Sequence, residues 1–128
     1  MKVLLDTNVF LWLVYDPARL SRPVISAVRD PENECYLSVV SAWEIAVKHG
    51  LGKLPLPVPP GPFVATGREA HQIASLALEE AAALGVAKLP DLHRDPFDRM
   101  LISQAITHGL TLAASDQAIH RYAVPTLW

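Results

Sequence analysis

The sequence has little of what marks a disulfide-stabilised, membrane-spanning or strongly basic protein. Its single cysteine, Cys35, cannot form an internal disulfide or supply a multi-cysteine zinc site, so we expect it to fill core space. The apolar run from Val9 to Tyr15 is far shorter than the ~20 residues of a membrane-spanning helix. Lys and Arg number 11 against 13 Asp and Glu, and the net charge of −2 excludes a strongly basic surface.

What the sequence does contain is the size and apolar content of one globular domain. It has 128 residues, of which 51% are hydrophobic and 19% are charged. This composition favours a folded chain with a substantial core over a disordered one. We therefore expect residues 1–128 to form a single domain. Asp6 interrupts the apolar run that follows Lys2, so we expect no secretory signal and a cytoplasmic location.

Strand and helix signals alternate along the chain, which predicts an α/β fold with a mainly parallel central sheet in a three-layer α/β/α sandwich. The pattern predicts strands at 1–5, 35–40, 73–78, 110–114 and 124–128, with a helix before each later strand. Asp95 and Pro96 open the strongest helix, and Gly109 ends it. Ligands of such sheets bind beyond the carboxyl ends of the strands, so the candidate site belongs there.

Three further local patterns make specific predictions. Ser41 begins Ser-Ala-Trp-Glu, the pattern of a capping box, which predicts that a helix starts at Ser41 and ends near Gly50. Lys53 to Pro62 holds five of the 11 prolines, which predicts an extended connection without a helix. Ser115 and Asp116 are expected to cap a short helix that ends at Tyr122.

Four acidic residues, Asp6, Glu44, Asp98 and Asp116, are each predicted at the end of a strand or in the first turn of the next helix. Taken singly, each is more often a helix cap than a functional group. Caps do not explain the collection, because two carboxylates ~4 Å apart repel by ~4 kcal/mol at an effective dielectric of about 20. A divalent cation would offset this repulsion, and oxygen ligands favour Mg²⁺ or Mn²⁺ over zinc.

Four motifs in this order resemble the PIN-domain ribonucleases, and among them the VapC-type toxins of bacterial toxin–antitoxin modules. The motifs are Leu-Leu-Asp-Thr-Asn at 4–8, Ser-Ala-Trp-Glu-Ile-Ala at 41–46, His-Arg-Asp-Pro-Phe-Asp-Arg-Met-Leu-Ile at 93–102 and Ala-Ser-Asp at 114–116. The third motif is the most specific, whereas Asp-Thr-Asn alone occurs in many folds. The resemblance runs from Val3 to Trp128.

The resemblance implies that Asp6, Glu44, Asp98 and Asp116 are the catalytic, metal-binding acids, with Thr7, Asn8 and Ser115 as polar support. It also implies a PIN-like α/β/α nuclease domain over 1–128 and an endoribonuclease that uses one or two Mg²⁺ or Mn²⁺ ions. A homodimer and inhibition by a cognate antitoxin are expected for such toxins. Transfer, ribosomal and messenger RNA all stay open as substrates.

Two other interpretations compete with this one. A phosphoacceptor domain of the receiver type also uses acids at strand ends, but it needs a lysine after a late strand, where this chain has Ser115 and Asp116. A non-catalytic metal- or RNA-binding module of the same fold would carry the same acids.

His93 is expected to anchor a loop or contact phosphate and is not assigned to catalysis. Arg99 is expected either to pair with Asp95 or, like Lys48 and Arg94, to contact the RNA backbone.

Overall fold

Five short parallel strands and six helices make up the structure, a computed structural model that describes residues 1–128. In chain order the elements are β1 (Lys2–Leu5), α1 (Thr7–Tyr15), α2 (Arg22–Arg29), β2 (Glu34–Ser38), α3 (Val39–Gly50), α4 (Pro60–His71), β3 (Ala74–Leu76), α5 (Glu80–Gly85), α6 (Pro96–His108), β4 (Thr111–Ala113) and β5 (Thr126–Leu127). Three single 3₁₀ turns, at 17–19, 86–88 and 119–121, complete the connections.

The sheet has the strand order β3-β2-β1-β4-β5, with every pair parallel. β1 is central because it pairs with β2 on one side and with β4 on the other. Side chains alternate along a strand, so Val3 and Leu5 enter one core while Leu4 enters the other. Helices contribute to both cores, which confirms the predicted α/β/α architecture with a parallel sheet.

The two cores lie on opposite faces of the sheet. The first packs α1, α2 and α4 on the strands through residues such as Phe10, Val24 and Phe63, and Cys35 is buried in it as expected. The second packs α6 on the other face through residues such as Leu101 and Ile102. None of the helices is both long enough and apolar enough to cross a membrane.

Local residues set the ends of two helices, and both predicted ends of α6 are confirmed. The Ser21 hydroxyl caps α2 by accepting from the Val24 N–H. The Asp95 carboxylate caps α6 by accepting from the N–H groups of the next two helical positions, at 2.8 and 3.1 Å. Gly109 ends α6 in the left-handed conformation, at φ = 65°, which glycine adopts without steric cost. The Asp95 cap thus places the start of α6 at the edge of the sheet where β1 finishes, and Gly109 turns the chain into the start of β4.

The predicted capping box at Ser41 is wrong. α3 begins at Val39, and its cap is Ser38, three residues before the predicted cap, whose hydroxyl accepts from the Val40 N–H at 3.0 Å. The same hydroxyl donates to Gln104 Oε1 at 2.5 Å, a partner 66 residues away that the local pattern does not reveal. Glu44 therefore lies in the second turn of α3, and its carboxylate is not engaged with the start of the helix.

The expectation that 53–62 excludes a helix is also wrong at its end. α4 begins at Pro60 and carries a second proline at Pro62. Proline has no N–H to donate, and the first-turn N–H groups of a helix have no partner within it, so proline is tolerated there. After β4, Ser115 and Asp116 do not cap an α-helix. Asp116 instead accepts from the Ala118 N–H at 2.8 Å, before the last 3₁₀ turn.

Candidate metal centre

Three of the four predicted acids meet at the carboxyl edge of the sheet. Asp6 directly follows the central strand β1, Glu44 lies on α3, and Asp98 lies in the first turn of α6. Asp6 is 3% exposed and Glu44 is 5% exposed. The charges of Glu44 and Asp98 act directly on the Asp6 carboxyl. The strand-end rule therefore brings together residues from three separate parts of the chain.

The inner half of the centre consists of Asp6, Thr7, Ser41 and Glu44, which are all buried. Thr7 Oγ1 donates to Glu44 Oε1 at 2.6 Å and is hydrogen-bonded to Ser41 Oγ at 2.9 Å. The other oxygen of Glu44, Oε2, pairs with Lys48 Nζ one helical turn later. Hydrogen bonds and one cation thus hold the Glu44 carboxylate in a fixed orientation.

Asp6 is the acid of the centre whose charged form is most disfavoured by its surroundings. Burial, together with repulsion from Asp98 and Glu44, raises the pKa of the Asp6 carboxyl well above its ordinary value of 3.8. Asp6 occupies the N-cap position of α1, but its side chain makes no capping hydrogen bond. Helix capping therefore does not explain why a carboxylate is buried at this position.

The outer half of the centre consists of His93, Asp98 and Asp116. His93 Nε2 lies 2.7 Å from Asp98 Oδ2 and 3.7 Å from Asp116 Oδ2. Burial raises the pKa of the Asp98 carboxyl, the hydrogen bond with His93 opposes this rise, and repulsion from Asp95 and Glu44 adds to it. The Asp116 side chain is 47% exposed, so the centre opens to solvent on this side.

The predicted polar support is placed unevenly. Thr7 contacts the acids directly through Glu44. Asn8 is exposed on the next position of α1, and Ser115 is half-buried between β4 and Asp116. Neither Asn8 nor Ser115 makes a side-chain hydrogen bond. Ser41, which was predicted only as a cap, is the additional buried hydroxyl in contact with Thr7.

Three residues in the centre were missed or misplaced by sequence reasoning. His93 was not assigned to the site, although it stands five positions before Asp98. Lys48 pairs with Glu44, which the i,i+4 spacing of the two residues on a helix could have indicated. Arg99 does not pair with Asp95. Its guanidinium donates instead to the carbonyls of three residues in the preceding segment, Val86, Pro90 and His93.

The aromatic residues divide between the core and the site. Trp12 packs on Trp128, with ring centroids 6.0 Å apart, and Arg19 lies over its ring at 4.3 Å. Trp43 is 61% exposed and contacts Phe97 at a centroid distance of 4.9 Å. Because Phe97 directly precedes Asp98, this pair forms an apolar surface beside the acids.

The donor set of the centre fits a divalent cation. The carboxylates of Asp6, Glu44 and Asp98 lie together with Lys48 as the one paired ammonium group, so negative charge is in excess. A buried excess of negative charge is costly unless a cation offsets it. Carboxylate oxygens are ligands that Mg²⁺ and Mn²⁺ accept, and the side chains of His93, Asp98 and Asp116 also have ligand atoms within 4.8 Å of one another.

Comparison with known proteins identifies the same fold. The family model of the PIN domain matches residues 3–125. Ribonuclease VapC22 of Mycobacterium tuberculosis is 28% identical over 130 residues, which cover 98% of each chain. A VapBC2 structure from Rickettsia felis, bound to a DNA fragment from its promoter, has a TM-score of 0.74 at 13% identity and covers 100% of this chain and 99% of its own. DNA-bound VapBC from Salmonella typhimurium has a TM-score of 0.66 at 15% identity, covering 99% and 97%.

Proposed function

This chain belongs to the PIN-domain family, and we propose that it is a metal-dependent endoribonuclease in which residues 1–128 act as a single nuclease domain. One observation carries the proposal. The carboxylates of Asp6, Glu44 and Asp98 lie together at the carboxyl edge of the sheet, so negative charge is in excess there. The centre is open to solvent at Asp116. Similarity to a protein named ribonuclease VapC22 supports the choice of RNA as the substrate.

The acids Asp6, Glu44, Asp98 and Asp116 would hold one or two Mg²⁺ or Mn²⁺ ions. When bound, such a cation supplies the positive charge that activates water and offsets charge on a phosphodiester. The chain's own contribution is to hold the carboxylates in place. Thr7 and Lys48 fix the orientation of Glu44, and His93 Nε2 lies within hydrogen-bond distance of Asp98.

The RNA backbone would approach from the outer half of the centre, where Asp116 is open. Arg94 is the exposed cation on this side, next to His93, and its side chain makes no hydrogen bond or ion pair within the chain. It is therefore free to contact a phosphate, which positions RNA without reading its sequence. Lys48 and Arg99 are engaged with Glu44 and with backbone carbonyls, so neither is assigned this role.

The proposal includes a cognate antitoxin that inhibits the enzyme, a homodimer and a cytoplasmic location. Similarity to chains in solved VapBC and FitAB complexes supports an antitoxin partner. The apolar surface of Trp43 and Phe97 lies beside the acids, where a bound segment would cover them. Gel filtration with light scattering, alone and with the antitoxin, would measure both assemblies. Full RNA cleavage by the purified complex would contradict inhibition.

The decisive experiment is cleavage of total transfer and ribosomal RNA by the purified chain, free of antitoxin, with Mg²⁺ or Mn²⁺. We expect discrete cleavage products that disappear with EDTA and in Asp98→Asn. The rate should fall by more than the ~10–100-fold that loss of a partner of a metal ligand costs. Asp91→Asn is the matched control, because Asp91 is an exposed carboxylate in the segment that precedes α6, and it should cleave like the wild type.

The outcome also separates the two candidate functions. Products that persist in Asp98→Asn would indicate a contaminating nuclease and contradict the assigned site. Intact RNA in every reaction, with a cation bound to the wild type, would favour the non-catalytic metal- or RNA-binding module. A rise in melting temperature with Mn²⁺ that is lost in Asp98→Asn would show that the cation occupies this centre.

A further inference from the structure

His93 occupies a position that the acids alone do not explain. Its Nε2 atom lies between two carboxylates, 2.7 Å from Asp98 Oδ2 and 3.7 Å from Asp116 Oδ2. One ligand atom from each of the three side chains falls within 4.8 Å of the others. The His93 side chain is only 19% exposed, although it belongs to a connecting segment and not to a helix or strand.

Arg99 and Tyr122 hold the segment that carries His93 in place through hydrogen bonds. Arg99 Nη1 donates to Pro90 O at 3.0 Å, to His93 O at 3.4 Å and to the Tyr122 hydroxyl at 3.1 Å. The Tyr122 hydroxyl in turn accepts from the Leu92 N–H at 3.2 Å. The backbone on both sides of the imidazole is therefore anchored, so the ring is presented to the carboxylates by a built arrangement.

The spacing of the three ligand atoms suits a six-coordinate cation. With ligand bonds of about 2.1 Å, neighbouring octahedral ligands lie about 3.0 Å apart and opposite ligands about 4.2 Å apart. The two distances from His93 Nε2 fall near and between these values. A neutral imidazole nitrogen is also among the commonest metal ligands in proteins. The two distances from His93 Nε2 are thus compatible with one ion that has a nitrogen ligand and a carboxylate oxygen ligand from each acid.

We propose that His93 is a nitrogen ligand of the cation, alongside Asp98 and Asp116, and that it biases the centre toward Mn²⁺ over Mg²⁺. This proposal rests on the metal-dependent function proposed above. Mg²⁺ binds oxygen donors and tolerates little departure from them. Imidazole nitrogen is a good ligand for transition metals. Among the divalent first-row transition metals, affinity for such a donor increases from Mn²⁺ onward. The cation would then have both nitrogen and oxygen ligands, whereas the acids alone supply only oxygen ligands.

The competing role for His93 is a hydrogen bond that only orients Asp98. The two roles differ in what a substitute side chain can replace. In His93→Gln, the amide retains a hydrogen-bond donor of suitable reach for Asp98, but it has no imidazole nitrogen to offer a metal. An orienting role therefore predicts that His93→Gln preserves the relative affinities for Mn²⁺ and Mg²⁺. A ligand role predicts that the preference for Mn²⁺ is lost.

The first measurement is Mn²⁺ binding by the full chain, followed by electron paramagnetic resonance of the free ion, with Mg²⁺ as the competitor. We expect His93→Gln to weaken Mn²⁺ binding by at least about tenfold, the lower end of the loss for a partner of a metal ligand. Mg²⁺ binding should weaken by a smaller factor. His71→Gln is the matched control, because His71 ends α4 against α2, and it should bind both ions like the wild type.

The second measurement detects the metal–nitrogen bond itself. Electron spin-echo spectra of the Mn²⁺-loaded wild type should show nitrogen coupling that changes with ¹⁵N-histidine labelling, and His71→Gln should keep it. This result does not depend on whether His93→Gln folds. Absence of the coupling in the wild type, or an unchanged ratio of the two affinities in a folded His93→Gln, would overturn the proposal.

RNA cleavage is deliberately absent from both measurements, so the two proposals fail separately. A chain that binds Mn²⁺ through nitrogen but leaves RNA intact would contradict the ribonuclease and support His93 as a ligand. A chain that cleaves RNA with Mn²⁺ but shows no nitrogen coupling would support the ribonuclease and contradict His93 as a ligand. A wild type that binds neither ion at millimolar concentration would contradict both.

Discussion

The inner and outer halves of the centre handle negative charge in different ways. In the inner half, Asp6 is almost completely buried and has no cation as a direct partner, while Lys48 neutralises Glu44. In the outer half, Asp116 is open to solvent and His93 lies between the two carboxylates. Repulsion between carboxylates is therefore strongest in the inner half, and access from solvent is greatest in the outer half. The cation proposed above would enter through the outer half, which is open to solvent, and would offset the charge of the inner half.

The largest effect that tests this difference is expected from Asp6→Asn. Removing one poorly compensated buried charge should raise the free energy of unfolding of the metal-free chain by about 2 kcal/mol at neutral pH. The same substitution should abolish cation binding, because Asp6 is assigned as a ligand. Chemical denaturation in EDTA measures the first effect, and Asp91→Asn serves as the control. A destabilised Asp6→Asn would show that the charge on Asp6 is compensated within the chain.

The pH dependence of the same variant sharpens the prediction. Because the pKa of Asp6 is higher in the folded chain than its ordinary value of 3.8, the folded chain holds this proton where the unfolded chain has lost it. Stability contributed by Asp6 is therefore lost as the pH rises above about 4. The advantage of Asp6→Asn over the wild type should grow with pH in EDTA and shrink when Mn²⁺ is added. An advantage independent of pH would point to a packing effect.

An intermediate effect is expected from Arg99→Lys, which acts on the outer half alone. The lysine keeps the charge but loses the planar fork that reaches several carbonyls, so the chain should lose about 1–2 kcal/mol of stability. Mn²⁺ affinity should fall with it, because the segment that presents His93 is released. Thermal unfolding and Mn²⁺ titration test this, with the exposed Arg94→Lys as control. Unchanged Mn²⁺ affinity would show that the anchors of this segment do not position the site.

The smallest effect is expected from Lys48→Met, which removes the cation of the inner half. Because the Lys48 side chain is 40% exposed, its pair with Glu44 should contribute under about 1 kcal/mol. Although burial lowers the pKa of Lys48, its hydrogen bond with Glu44 and the charge of Glu44 raise it, so it carries a positive charge near the ion. Mn²⁺ affinity should therefore rise in Lys48→Met and not in Lys53→Met, as calorimetry can measure. Weaker Mn²⁺ binding would mean that Lys48 orients Glu44 more than it competes with the ion.

The residues of the centre also differ in how far the sequence predicts them, and this difference does not follow the division into two halves. The positions of Asp6 and Asp98 follow from regular patterns, an apolar strand that ends in a polar residue and a helix that opens on Asp-Pro. Such patterns are local, and the parallel sheet then brings the strand ends to one edge. His93 belongs to the connecting segment before α6, which Arg99 on α6 and Tyr122 hold through long-range hydrogen bonds, and no periodicity encodes these contacts.

Errors in the helix boundaries have the same physical origin. Ser38 and Ser41 are both suitable caps, and the local spacing to Glu44 favours Ser41. The contact between Ser38 and Gln104 selects Ser38 instead, and it joins α3 to α6 in the second core. Tertiary contacts thus override a sound local signal. The shift removes Glu44 from a structural role and leaves its carboxylate available to the centre.

The burial of Asp6 at the end of the central strand has a further consequence for how long the protein survives. Without the proposed cation the chain would retain the full repulsion among the inner carboxylates, and it should open more often than the chain with the cation bound. Proteases digest the opened chain and spare the closed one. If the proposed cation binds here, the supply of divalent ions would therefore influence, through a single aspartate, how fast molecules are degraded and how many persist.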